Sequence, residues 1–134
     1  MKIRFTHSNI SVLDLERSLA FYDAALHLKE DRRQDFGDFV MVYLQDEVHQ
    51  FELEIRWTKG RTEAYELGEN PTHLAFMVDD YESLLSVHQK MGCITFVNEA
   101  LGLHFMKDPD GCAIEIMRED FFERLPERLA KQQH

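Results

Sequence analysis

The sequence predicts an α+β fold built from two βαβββ modules related by a pseudo-two-fold duplication. Three observations predict it. The order strand, helix, strands is run through twice along the chain. The openings 7-HSNISVLDLERSL-19 and 73-HLAFMVDDYESLL-85 echo each other at an offset of 66 residues, matching His7 with His73, Val12 with Val78, Asp14 with Asp80, Glu16 with Glu82 and Leu19 with Leu85. A polar, Gly-containing segment, 58-TKGRTEAYELGENP-71, separates the two. The 134 residues are read as one domain: module 1 over about 1–60, a linker over 61–71, module 2 over about 72–118 and a C-terminal helix over about 119–134.

Each element has its own signal. Residues 3–12 form an apolar-polar run that reads as a strand. Asp14 then caps a helix whose Leu15, Leu19, Tyr22 and Leu26 share one face. After a polar stretch come two strands, 39-FVMVYL-44 and 51-FELEIRW-57. The second half opens with the strand 72-THLAFMV-78. Asp79 with Glu82 forms a capping box for a helix through Met91, which Gly92 stops. Three strands follow, 93-CITFV-97, 103-LHFMK-107 and 113-AIEIM-117, the last two joined by the turn 108-DPDG-111. In the tail, Phe121, Phe122, Leu125 and Leu129 recur at helical spacing, and Pro126 must sit in a first turn or break the helix.

Bulk properties narrow the function classes. Apolar content of 44% and charged content of 30% are those of a globular protein. A net charge of −10 argues against nucleic acid as a partner. No run has the length of a membrane span, and the charged start MKIRFTHSN has no signal-peptide apolar region, so no membrane role and a cytoplasmic location are expected. Cys93 and Cys112 are not at metal-knuckle spacing; a reduced pair is expected, with a bridge between them left open.

Chemistry concentrates on the stretch 51-FELEIRW-57. Phe51, Leu53, Ile55 and Trp57 alternate with Glu52, Glu54 and Arg56, yet glutamate is depleted in strands. Each half opens on a strand histidine, His7 or His73, and closes on a strand glutamate between apolar residues, in 51-FEL-53 and 114-IEI-116. A lone strand histidine is more often a hydrogen-bonded surface residue, and Glu115 alone could be solvent-facing. Correlated placement in both halves raises His7, Glu52, His73 and Glu115 to a candidate divalent-metal set. His27, His49, His88, His104 and His134 have no counterpart in the repeat and are read as ordinary. Periodicity cannot choose between Glu52 and Glu54, which share a face. The spacing to the histidine favours Glu52 slightly: 45 residues for Glu52 and 47 for Glu54, against 42 in the second half.

Taken together, 7-HSNISVLDLERSLAFY-22, 52-ELEIRW-57, 65-YELG-68, 73-HLAFMVDD-80 and 108-DPDGCAIEIM-117 resemble glyoxalase I, the lactoylglutathione lyase branch of the vicinal-oxygen-chelate superfamily. The likeness runs from about residue 3 to 118. It implies paired βαβββ modules forming a curved open sheet around a metal, with His7, Glu52, His73 and Glu115 as ligands. The five-residue step from Glu52 to Trp57 favours Glu52 by the same resemblance. Nickel is the implied ion, with zinc or cobalt as alternatives, in a homodimer. The implied reaction, part of methylglyoxal detoxification, isomerises the hemithioacetal of methylglyoxal and a thiol, glutathione first, to an S-D-lactoyl thioester. Glu115 is the implied base and Glu52 its symmetry partner. Ser11 and Arg56 stand where the family commonly has the arginine and asparagine that grip glutathione; Arg56, Glu54 and Ser11 are therefore the candidate substrate contacts, with Glu54 and Arg56 placed to pair. The alternatives are a thioester epimerase, an antibiotic-modifying thiol transferase, a two-His, one-carboxylate dioxygenase, or a drug-sequestering dimer of the same fold. Retention of four ligand-type residues counts against each of them.

Overall fold

The computed structural model describes residues 1–69 and 72–132, without the side chains of Arg128 and Gln132. Asn70, Pro71, Gln133 and His134, which fall in the expected linker and tail helix, lie outside the described residues. Two units are present, Met1–Leu67 and Gly68–His134.

The first unit contains β1 (His7–Val12), α1 (Leu15–Leu26), β2 (Lys29–Asp35), β3 (Phe39–Gln45) and β4 (Glu52–Thr58). Its sheet has the order β1-β4-β3-β2, with β1 parallel to β4 and the other pairs antiparallel. Val40, Val42, Leu44, Leu53, Ile55 and Val12 are buried on one face, and Ile55 stands level with both Ile10 and Val42. The opposite face carries His7, Asn9, Ser11, Met41, Tyr43, Gln45, Glu52, Glu54 and Arg56. Asp14 caps α1 by accepting from the Arg17 amide at 3.0 Å. The buried stripe of α1 is Leu15, Ser18, Tyr22 and Ala25, one position away from the leucine face read from the pattern. Small Ser18 and Ala25 let a helix lie close to its support, which a leucine count does not register.

β2 is the element that the apolar pattern missed. Its sequence KEDRRQD is exposed throughout, so no alternation marks it as a strand; edge pairing with β3 makes it one. The β1 strand is also shorter than expected. Ile3 and Phe5 precede it and are exposed, with Phe5 resting on Phe51 at 5.3 Å between ring centroids.

The second unit repeats the plan: β5 (His73–Val78), α2 (Tyr81–Met91), β6 (Ile94–Asn98), β7 (Leu103–Lys107) and β8 (Ala113–Arg118), in the order β5-β8-β7-β6. α3 (Phe121–Gln132) follows. The cap of α2 is Asp80, not Asp79: its carboxylate accepts from the Ser83 amide at 3.3 Å. Gly92 ends the helix at φ 70°, a conformation open to glycine. Met106, Ile114 and Ile116 are fully buried, and Leu103, Met117 and Phe121 form a second apolar cluster backed by Leu125. α3 continues past Pro126, against the expectation of a break there. Phe121 and Leu125, both before the proline, are packed on Leu103 and Met117.

Two histidines with no counterpart in the repeat belong to this core. His104 Nε2 lies 2.8 Å from His88 Nδ1, and its Nδ1 lies 3.0 Å from the Tyr81 hydroxyl. Burial, then the neighbouring His88, push His104 down to about 4, so it is a neutral core residue at physiological pH. Cys93 and Cys112 are free thiols.

Candidate functional site

His7 opens β1 on the polar face of the first sheet. Thr6 Oγ1 lies 2.9 Å from its Nδ1, and Nε2 lies 3.6 Å from Glu54 Oε2. Glu54 is 8% exposed. Its Oε1 accepts from Asn9 Nδ2 at 2.8 Å, and Tyr43 stands directly across the sheet from it on β3. Burial raises the Glu54 carboxyl, but the bonds from Tyr43 and Asn9 and the nearby His7 and Arg32 outweigh it, holding the group below the usual carboxylate range.

His73 opens β5 in the same way, with its Nε2 3.4 Å from Glu115 Oε1. The His7 ring meets the edge of Tyr43 at 6.0 Å, and the His73 ring meets Phe105 at 5.3 Å. The two arrangements match in register as well. Glu115 stands opposite Ala75, two residues after His73, and Glu54 stands opposite Asn9, two residues after His7.

This register changes the choice between the two glutamates of β4. Glu52 lies opposite His7, the place that Ala113 takes opposite His73. Its carboxylate is taken by Arg32 of β2, Nη1 to Oε2 at 2.6 Å and Nη2 to Oε1 at 3.3 Å. Glu54, not Glu52, is therefore the structural counterpart of Glu115. The count of residues pointed the other way because the first unit has longer strands: β2 and β3 have 7 residues each where β6 and β7 have 5.

Ser11 lies opposite Arg56 on the same face. Arg56 does not pair with Glu54 among the described residues. Its guanidinium sits 3.8 Å over the Phe39 ring, and Nε reaches the Thr58 hydroxyl at 3.5 Å. Asn9, Tyr43 and Arg32 went unread in the sequence. Asn9 had a usable signal, the period-2 step from His7; Tyr43 and Arg32 needed the cross-strand register.

Among the described residues no three His, Cys, Asp or Glu side chains are grouped as one ion requires; each unit offers one His–Glu pair on a strand-opening histidine, and the first has in addition the exposed contact of His27 with Glu47. A cavity of about 400 Å³ in the second unit, lined by Val78, Asp79, Tyr81, Arg118, Glu119, Asp120 and Glu123, contains neither pair. No helix among the described residues is long and apolar enough to cross a membrane.

Residues 4–116 match the family model of the Glyoxalase/Bleomycin resistance protein/Dioxygenase superfamily. With two four-stranded sheets in this order and that match over most of its length, the chain belongs to this superfamily. It is 35% identical over 130 residues to lactoylglutathione lyase of Neisseria meningitidis, covering 87% of this chain and 91% of the relative. It also superposes on the trypanothione-dependent glyoxalase I of Leishmania major with a TM-score of 0.83 at 31% identity, covering 98% of each chain. The expected enzyme of the lyase class agrees with these relatives. The fosfomycin resistance protein FosX of Mesorhizobium loti, TM-score 0.69 at 18% identity and covering 94% of this chain and 99% of that one, shares the fold alone.

Proposed function

We propose that the protein isomerises the hemithioacetal of methylglyoxal and a thiol, glutathione first, to an S-D-lactoyl thioester. In this reading one divalent metal, nickel before zinc or cobalt, is held by His7, Glu54, His73 and Glu115, as a homodimer in the cytoplasm. The observation that carries it is the repeated pair, a strand-opening imidazole facing a nearly buried carboxylate at 3.6 Å and again at 3.4 Å. The donor set fits an ion. Imidazole nitrogens and carboxylate oxygens are donors that suit nickel, cobalt and zinc alike. Both separations are longer than a charge-assisted hydrogen bond, for which about 2.7–2.9 Å is usual. Thr6 beside Nδ1 leaves His7 Nε2 as the donor atom facing Glu54.

When bound, the ion supplies Lewis acidity that makes the carbon-bound proton removable and stabilises the enediolate charge. Glu115 acts as the base. It takes the proton from the carbon bearing the sulfur and returns it to the neighbouring carbonyl carbon, so the first carbon ends as the thioester carbonyl and the second as the alcohol. One C–H bond breaks and another forms, the hydroxyl proton of the first carbon's oxygen passes to the oxygen of the second, and no outside oxidant or reductant is needed. In this reading Arg56 receives a carboxylate of the thiol. Counted from Glu54, the position where the family commonly has asparagine is Thr58, whose hydroxyl accepts from Arg56 Nε at 3.5 Å.

The test follows thioester absorbance with methylglyoxal plus glutathione, then other cellular thiols, on Ni²⁺- and Zn²⁺-loaded protein. Turnover with one of them is expected. No turnover with any thiol overturns the reading.

A further inference from the structure

The two half-sites are alike in register but not in what surrounds the carboxylate. Opposite Glu54 stand Asn9 on β1, which bonds its carboxylate at 2.8 Å, and Tyr43 on β3, whose hydroxyl is a donor facing the same side. Opposite Glu115 stand Ala75 on β5 and Phe105 on β7. Neither side chain carries a hydrogen-bond donor. Among the described residues, the one polar partner of the Glu115 carboxylate is His73. The first carboxylate is thus held from three directions and the second from one.

A further layer sits behind Tyr43. Arg32 places its guanidinium 4.1 Å over the Tyr43 ring while Glu52 holds the guanidinium with both oxygens and Asp31 accepts from its Nη1 at 3.0 Å. The cation over the ring face and the paired charge fix Tyr43 on β3, so its hydroxyl is presented to Glu54 without side-chain search. Glu52 takes part as the anchor of Arg32. In the corresponding place Phe105 meets the His73 ring and packs on the Leu103 cluster, with no cation over its ring among the described residues.

We propose that Asn9 and Tyr43, the latter buttressed by Arg32 and Glu52, are positioning residues that pin Glu54 as a fixed ligand. Ala75 and Phe105, in the equivalent places, leave Glu115 free to swing and carry the proton. The proposal rests on the reading of the protein as a glyoxalase with Glu115 as base, and it says why two carboxylates in equivalent places do different work. A pinned carboxylate cannot follow a proton from one carbon to the next without giving up the donors that hold it; one with His73 as its single partner can.

The experiment compares full-length N9A/Y43F, A75N/F105Y and E115Q with wild type. Ni²⁺ dissociation constants come from chelator competition, kcat and KM from thioester formation, and folding from melting curves. Loosening Glu54 in N9A/Y43F weakens Ni²⁺ binding by about 10- to 100-fold, the usual effect of removing ligand-orienting partners. Grafting the pin in A75N/F105Y leaves Ni²⁺ binding at least as tight as in wild type, while kcat falls about 10-fold or more with KM unchanged, because the proton carrier is held. A merely structural role cannot produce this split. If the double graft does not fold, A75N alone carries the same expectation. Wild-type Ni²⁺ affinity in N9A/Y43F, or wild-type kcat in the graft, overturns the proposal. E115Q separates the two levels: wild-type turnover there removes the base assignment and the proposal with it, whereas an inactive E115Q beside a fully active graft removes the asymmetry alone.

Discussion

His7 and Glu54 face each other across β1 and β4, with Nε2 3.6 Å from Oε2. The contact is diagonal, because the residue directly opposite His7 is Glu52. A substitution pair follows from this. E54Q should lower metal affinity about 100-fold, at the upper end of what even an orienting partner contributes. E52Q should leave one ion per site, since it removes only the bidentate partner of Arg32. Metal analysis after desalting reads both; loss in E52Q with retention in E54Q would return the ligand role to Glu52.

Acid should weaken the second unit through His104. Its native value of about 4 lies below the ordinary 6.5, so the unfolded chain takes up the proton first as pH falls. The contribution of a neutral His104 is complete above pH 6.5 and is lost as pH drops towards 4, with a limiting slope of about 1.4 kcal/mol per pH unit. H104Q should be less stable at pH 7, having lost its fit to Tyr81 and His88, yet show a flatter stability profile between pH 6.5 and 4. Urea midpoints across that range give the comparison, and a parallel profile would exclude His104 as the source.

Cys112 should resist alkylation in the native protein. Burial, with Asp108 and Asp110 beside it, pushes its thiol up to about 12, so almost no thiolate is present at pH 8. Peptide mapping after iodoacetamide treatment should show modification only when denaturant is added. Rapid native labelling would contradict the placement of this thiol.

Ile55 is the most informative core position of the first unit, fully buried between Ile10 and Val42. I55A should cost about 2–5 kcal/mol by lost transfer energy and the cavity left behind. I55V should cost about 0.5–1.5 kcal/mol. Denaturant unfolding measures both, and a cost below about 0.5 kcal/mol for I55A, the level of an ordinary surface change, would mean that β4 is not packed as described.

The sequence by itself determined the repeat, the strand-opening histidines, Glu115 and the apolar face of β3 and β4. Those signals are local: period-2 alternation, a capping aspartate and a recurring order of elements, each readable without knowing what lies across the sheet. It was silent on β2, whose charged residues form a strand by pairing at an edge, and it displaced the α1 face because Ser18 and Ala25 are buried by closeness to their support, not by hydrophobicity. The choice between Glu52 and Glu54 belonged to the tertiary structure alone. Both occupy one face of one strand, and only the alignment of β4 with β1 decides which carboxylate stands beside Asn9 and Tyr43 and reaches His7. Hydrogen-bond register is a property of two strands together, so neither strand read alone contains it.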